Sequence, residues 1–91
     1  MYRAGWNAAQ RDVTIKTNLR DIEHVLWAFR VNGENPGYVA YGYEAVGMAQ
    51  TALMRGDLRN VGQCFSLARR FMRALLRREP VRGVRVYPHG R

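Results

Sequence analysis

The chain has 91 residues, 47% of them hydrophobic and ten of them aromatic, and a formal net charge of +8. That length leaves room for one compact core burying roughly 60 to 65% of the unfolded surface, and that composition excludes a disordered chain. The charge is one-sided. Residues 1 to 54 balance five basic side chains against five acidic ones, whereas residues 55 to 91 hold ten arginines against Asp57 and Glu79 and so carry the whole excess. A field polarised in this way draws anionic partners and speeds their association.

From the N-terminus, Tyr2, Trp6 and Ala9 fall at i, i+4, i+7 and predict a short helix over 2–12, weakened by Gly5. "DVTIK", residues 12–16, alternates as a short strand does, and the C-terminal segment 83–87 around Val84 and Val86 is its expected pairing partner. Asn18 then reads as an N-cap facing the N–H of Asp21. Leu19, Ile22, Leu26 and Phe29 follow at 3-4-3 spacing and predict an amphipathic helix over 18–31, stopped by Gly33 in the turn cluster "NGENPG".

A third helix is expected to begin at Pro36 or Tyr38 and to end at Gly56. Its inner stripe of Tyr38, Gly42, Ala45, Ala49 and Ala52 is built mostly of small residues, which let helix axes approach closely. Gly56 and Asp57 form the sharpest boundary in the chain, a glycine closing one helix and an aspartate capping the next. In a helical connection the tripeptide "RGD" is punctuation, not an extended recognition loop. The last helix runs from Leu58 to about Glu79, with Leu58, Val61, Phe65, Ala68, Met72 and Leu75 stepping by 3 and 4 as its seam, and Pro80 ending it.

The stretch "YEAVGMAQTALMRGDLRNVGQCFSLARRFM", residues 43–72, resembles a tetratricopeptide unit in its small-residue first helix, its Gly-Asp turn and its Phe65/Ala68 pair. The resemblance covers about a third of the chain and implies an antiparallel helix hairpin. No second copy of the unit accompanies it, and solenoids of this kind need about three. The expected fold is therefore all-α: one bundle of three to four helices over 1–80, containing a hairpin of about 38–55 and 58–79, with a partly ordered basic tail over 81–91.

Enzyme chemistry has little to work with. Cys64 and His24 supply a nucleophile and a base in type, but Cys64 sits beside an apolar helix face, where an inert buried thiol is the common outcome. Two histidines and one cysteine give no metal-ligand spacing, and no glycine-rich loop leads into Lys-Ser or Lys-Thr. No catalytic residue, cofactor or metal is expected. One cysteine excludes an internal disulfide and points to a reducing compartment. No apolar run reaches the ~18 residues a membrane span needs, and "MYRAGWNAAQRD" lacks a signal-peptide core, so the expected location is the cytoplasm, without a membrane partner.

The arginines carry the functional expectation. Fourteen arginines stand against one lysine; a planar guanidinium fork suits phosphate and carboxylate, although GC-rich coding would give the same bias. Projected at 100 degrees per residue, Arg59, Arg69, Arg70, Arg73 and Arg77 fall within roughly 100 degrees of one another on the last helix, with Gly62 and Ser66 among them, while Arg78 falls outside. Cations capping the helix dipole account for those near the C-terminus and leave Arg59, Arg69 and Arg70 over. With Arg82 and Arg85 from the tail, they form the footprint of a protein that holds a nucleic-acid backbone or a nucleoprotein without a base-reading motif. The alternative is a regulator, such as an inhibitor or adaptor of phage or mobile-element origin, that docks on an acidic protein surface with Trp27 and Tyr43 as anchors. Trp27 points away from the Leu19–Phe29 seam, toward the N-terminal helix or a partner. A second copy of the chain pairing through the 58–75 seam is a further arrangement that so thin a core admits.

Overall fold

The computed structural model describes residues 8–78, which form three α-helices: α1 (Ala8–Val31), α2 (Pro36–Arg55) and α3 (Leu58–Arg77). The all-α expectation holds, and no strand occurs among the described residues. The tail over 81–91 and the segment 83–87 lie outside them.

α1 is one continuous helix where the sequence predicted three elements and a cap, the first of them, the helix over 2–12, lying outside the described residues up to Asn7. Residues 12–16, expected as a strand, are helical, and so is Asn18, which stands exposed in mid-helix and caps nothing. The reason is periodic. Ile15 lies four residues before Leu19 and extends the Leu19, Ile22, Leu26, Phe29 stripe backward by one turn, so the five-residue alternation of "DVTIK" is outcompeted by a longer helical pattern. Thr14 fits the same helix by donating its Oγ1 hydrogen to the Gln10 carbonyl at 3.0 Å. Leu19, Ile22 and Leu26 are the buried residues of α1, with Ile15 and Phe29 packed partly against them.

Both connections close by glycine in the left-handed region, as expected. After α1, Gly33 (φ 70°) donates to the Arg30 carbonyl at 3.0 Å and Glu34 donates to the Phe29 carbonyl at 3.0 Å. After α2, Gly56 (φ 74°) donates to Leu53 and Asp57 to Ala52, each at 3.0 Å. These paired bonds satisfy carbonyls that a helix end leaves unpartnered. The Asp57 carboxylate then accepts from the Asn60 N–H at 3.2 Å, capping α3. Pro36 opens α2, where a missing N–H costs nothing.

The core joins all three helices. Leu19, Ile22 and Leu26 meet Tyr38, Val39, Ala45, Val46 and Ala49 from α2 and Cys64, Ala68, Phe71, Ala74 and Leu75 from α3. α2 and α3 share the most extensive of the three helix interfaces. Phe71 is its aromatic centre: Tyr38 meets the ring edge-on at 5.5 Å and 68°, and Tyr41 stacks on it at 5.5 Å and 14°.

The seam of α3 is turned relative to the expected one. Val61, Ala68 and Leu75 are buried as expected, but their companions are Cys64, Phe71 and Ala74; Phe65 and Met72 are only partly buried, and Leu58 is 41% exposed. Two 3-4 series overlap on this helix, and α2, packing from the Phe71 side, selects the second. Val61, Ala68 and Leu75 are thus covered within the chain, and Leu58, Phe65 and Met72 keep exposed surface.

Candidate nucleic-acid interface

α3 presents its arginines on the side opposite its core. The buried Val61, Cys64, Ala68, Phe71 and Leu75 define one face of the helix, and Arg59, Arg69, Arg70, Arg73 and Arg77, all exposed, occupy the sector centred on the opposite face. No aspartate or glutamate occurs between Leu58 and Arg77. Neutralising neighbours at i±3 or i±4 are therefore missing from the helix itself, and the like charges raise the local potential at a cost of a few tenths of a kcal/mol per neighbouring pair. The cost falls toward the C-terminal end, where the helix dipole favours Arg73 and Arg77.

Two side chains fix the borders of the stripe. On one edge Arg69 lies over the Phe65 ring, its Cζ 5.8 Å from the ring centroid and within cation–π range, while the residue stays exposed. At the C-terminal end Arg78 takes the left-handed cap position (φ 57°) and donates from Nη1 to Glu34 Oε1 at 3.3 Å. The sequence placed Arg78 outside the stripe; the structure keeps it outside and gives it a carboxylate from the α1–α2 connection.

Gly62 lies within the arginine sector and lines a groove of about 260 Å³ between α3 and the first half of α1. Ile15, Leu58, Val61 and Phe65 supply its apolar walls, with Arg11 and Asn18 at the α1 side. Arg11 Nε faces the Asp12 carboxylate at 3.5 Å. Sequence reasoning did not find this groove, because it is made by two groups of residues forty or more positions apart. Its signals were present separately: Ile15 one turn before the Leu19 stripe, and a glycine among arginines on α3.

The two expected protein anchors fare differently. Trp27 is 57% exposed on α1, and residues 8–12 of the expected N-terminal helix are part of α1 itself, residues 2–7 of it lying outside the described residues. Tyr43 is half-buried against the core and lines a depression of about 250 Å³ with Arg30, Glu34 and Val39. The two do not share a helix. Arg82 and Arg85 lie outside the described residues.

Cys64 is buried in the core and donates from Sγ to Asn60 Oδ1 at 3.5 Å, while His24 is exposed on α1. Among the described residues no three His, Cys, Asp or Glu side chains gather to hold a metal ion, and no helix is long and apolar enough to cross a membrane. No family model, curated protein or solved structure matches the chain.

Proposed function

We propose that the protein is a non-catalytic nucleic-acid-binding protein that grips a phosphate backbone with α3. The observation that carries this reading is the stripe itself: five exposed arginines on one face of a 20-residue helix that contains no carboxylate. Arg59, Arg69, Arg70, Arg73 and Arg77 neutralise successive phosphates, and each contact releases condensed counterions. Guanidinium forks bind phosphate oxygens through paired N–H donors, which suits this helix better than point charges would. The contacts position the protein on the strand and read no sequence. Arg82 and Arg85 of the tail extend the same footprint.

The arrangement behind the stripe is an antiparallel pair of α2 and α3 braced by α1. Phe71, near the end of α3, meeting Tyr38, near the start of α2, supports that arrangement. A braced helix holds its arginines at fixed spacing, so fewer degrees of freedom are lost on binding.

A second reading has its own observation. Trp27, 57% exposed, with Val31 62% exposed one turn on, is an apolar spot of the kind that anchors protein interfaces. In that reading the arginines meet an acidic protein surface, and Trp27, with Tyr43, anchors an inhibitor or adaptor.

Binding to duplex DNA, single-stranded DNA and RNA across a salt series tests the proposal. Five phosphate contacts give a slope of log affinity against log salt of roughly −3.5 on single strands and −4.5 on duplex. Absence of binding to all three at low salt would overturn it. Retention of a partner protein that is lost on Trp27→Ala, with the arginines intact, would favour the second reading.

A further inference from the structure

We infer that the groove between α1 and α3 receives one unstacked base of a single-stranded nucleic acid whose backbone lies along the arginine stripe. This rests on the phosphate-binding reading above and names the form of nucleic acid that the site prefers.

Three features meet at the groove. Its walls are apolar, from Ile15, Leu58, Val61 and the Phe65 ring, and its volume of about 260 Å³ falls short of the roughly 300 to 1,000 Å³ of a site for a whole small molecule. A single planar ring is an occupant of suitable size. Its rim belongs to the stripe: Gly62 lines the groove and lies on the helix surface between Arg59 and Arg69, and Arg69 lies over the Phe65 ring that forms part of the wall. A phosphate held by Arg59 or Arg69 therefore leaves its nucleotide at the mouth of the groove. Finally, Gly62 carries no side chain, and the place its Cβ would take is open, with no atom within 4 Å, so the rim is low there. A backbone can lie against the helix at that point.

The chemistry separates single strands from duplex. In a duplex the bases are stacked and paired, and entry into the groove requires a base to leave the stack. In a single strand the base is free to turn toward the protein, where an aromatic wall and a guanidinium plane give it stacking partners without regard to its identity. Asn18 and Arg11 at the α1 side offer hydrogen-bond donors to its edge, Arg11 while still facing Asp12.

The test compares the whole protein's affinity for oligo(dT), oligo(U), and an abasic deoxyribose-phosphate oligomer of the same length at one salt concentration. The three carry equal charge, and only the first two carry bases. The expected result is roughly 10-fold tighter binding of at least one base-bearing strand than of the abasic strand, the order expected from stacking of one base; the strand with the larger gain identifies DNA or RNA as the source. Gly62→Leu fills the groove from open space and suits a helix better than glycine does. It is expected to bring base-bearing and abasic strands to the same affinity while leaving the fold, followed by circular dichroism, unchanged. Equal binding of base-bearing and abasic strands by the natural protein overturns the groove proposal and leaves the phosphate reading intact. A gain that survives Gly62→Leu in a folded variant also overturns it. Absence of binding to every strand, duplex included, overturns both.

Discussion

Leu26 fills the space that a side chain on Gly42 would need: a Cβ built on Gly42 would stand 2.7 Å from Leu26 Cδ2. Leu26 is fully buried, so its methyl group has nowhere to retreat. Gly42→Ala gains up to about 1 kcal/mol in helix propensity and loses about 1 to 3 kcal/mol to overpacking. The expected outcome is net destabilisation of about 1 kcal/mol, measured by urea unfolding. Stabilisation would mean that α1 and α2 separate more readily than their packing implies.

Phe71 is the largest fully buried side chain and touches two tyrosines. Phe71→Ala is expected to cost about 3 to 5 kcal/mol, a large part of the total stability of so small a protein. Met54, 88% exposed, serves as the contrast: Met54→Ala should stay within about 0.5 kcal/mol of the natural protein. Thermal melts of the two variants side by side check both figures.

Asp57 holds the first turn of α3 through the Asn60 N–H. Asp57→Ala should lower stability by about 1 kcal/mol, and Asp57→Asn, which keeps an acceptor, by much less. Loss of equal size in both variants would show that charge near the helix dipole matters more than the hydrogen bond.

Arg78 adopts a left-handed conformation that costs a residue with a Cβ about 1 to 2 kcal/mol. Its ion pair with Glu34 is solvent-exposed and contributes at most about 1 kcal/mol. Arg78→Gly is therefore expected to raise the melting temperature slightly although an ion pair is lost, and to leave binding to nucleic acid unaltered because Arg78 lies off the stripe.

Arg73→Gln and Arg69→Gln separate binding from stability. Each removes one phosphate contact and is expected to reduce the steepness of the duplex salt slope by about 0.9. Arg73→Gln should leave the unfolding midpoint where it is. Arg69→Gln also removes the guanidinium from the Phe65 ring and should cost about 0.5 to 1 kcal/mol of stability.

The contrast between the stripe and the groove explains what the sequence revealed. The stripe is a property of one helix, and helical geometry alone assigns Arg59, Arg69, Arg70, Arg73 and Arg77 to one side. The closures at Gly33 and Gly56 and the cap at Asp57 were legible for the same reason, since each depends on a few adjacent residues. The start of α1 was not, because the local alternation of Val13 and Ile15 competes with a 3-4 pattern that is recognised only once Ile15 is grouped with Leu19. Phe71 lies outside the Leu58, Val61, Phe65, Ala68, Met72, Leu75 series and yet stands at the centre of the α2–α3 interface. Either of two overlapping series satisfies the periodicity, and the choice is made by Tyr38 and Tyr41 arriving from α2. The groove depends on Ile15 and Phe65, which only the tertiary fold brings together.

The two-residue connection at Gly56 and Asp57 has a kinetic consequence. Bringing the ends of so short a loop together costs little chain entropy, and it joins the two helices that share the largest interface. α2 and α3 are therefore expected to pair early, with α1 docking afterwards through Leu19, Ile22 and Leu26, and the predominance of near-neighbour contacts places folding in the microsecond-to-millisecond range. On that order of events the arginine-bearing helix is already paired with α2 before α1 braces it and completes the groove beside it.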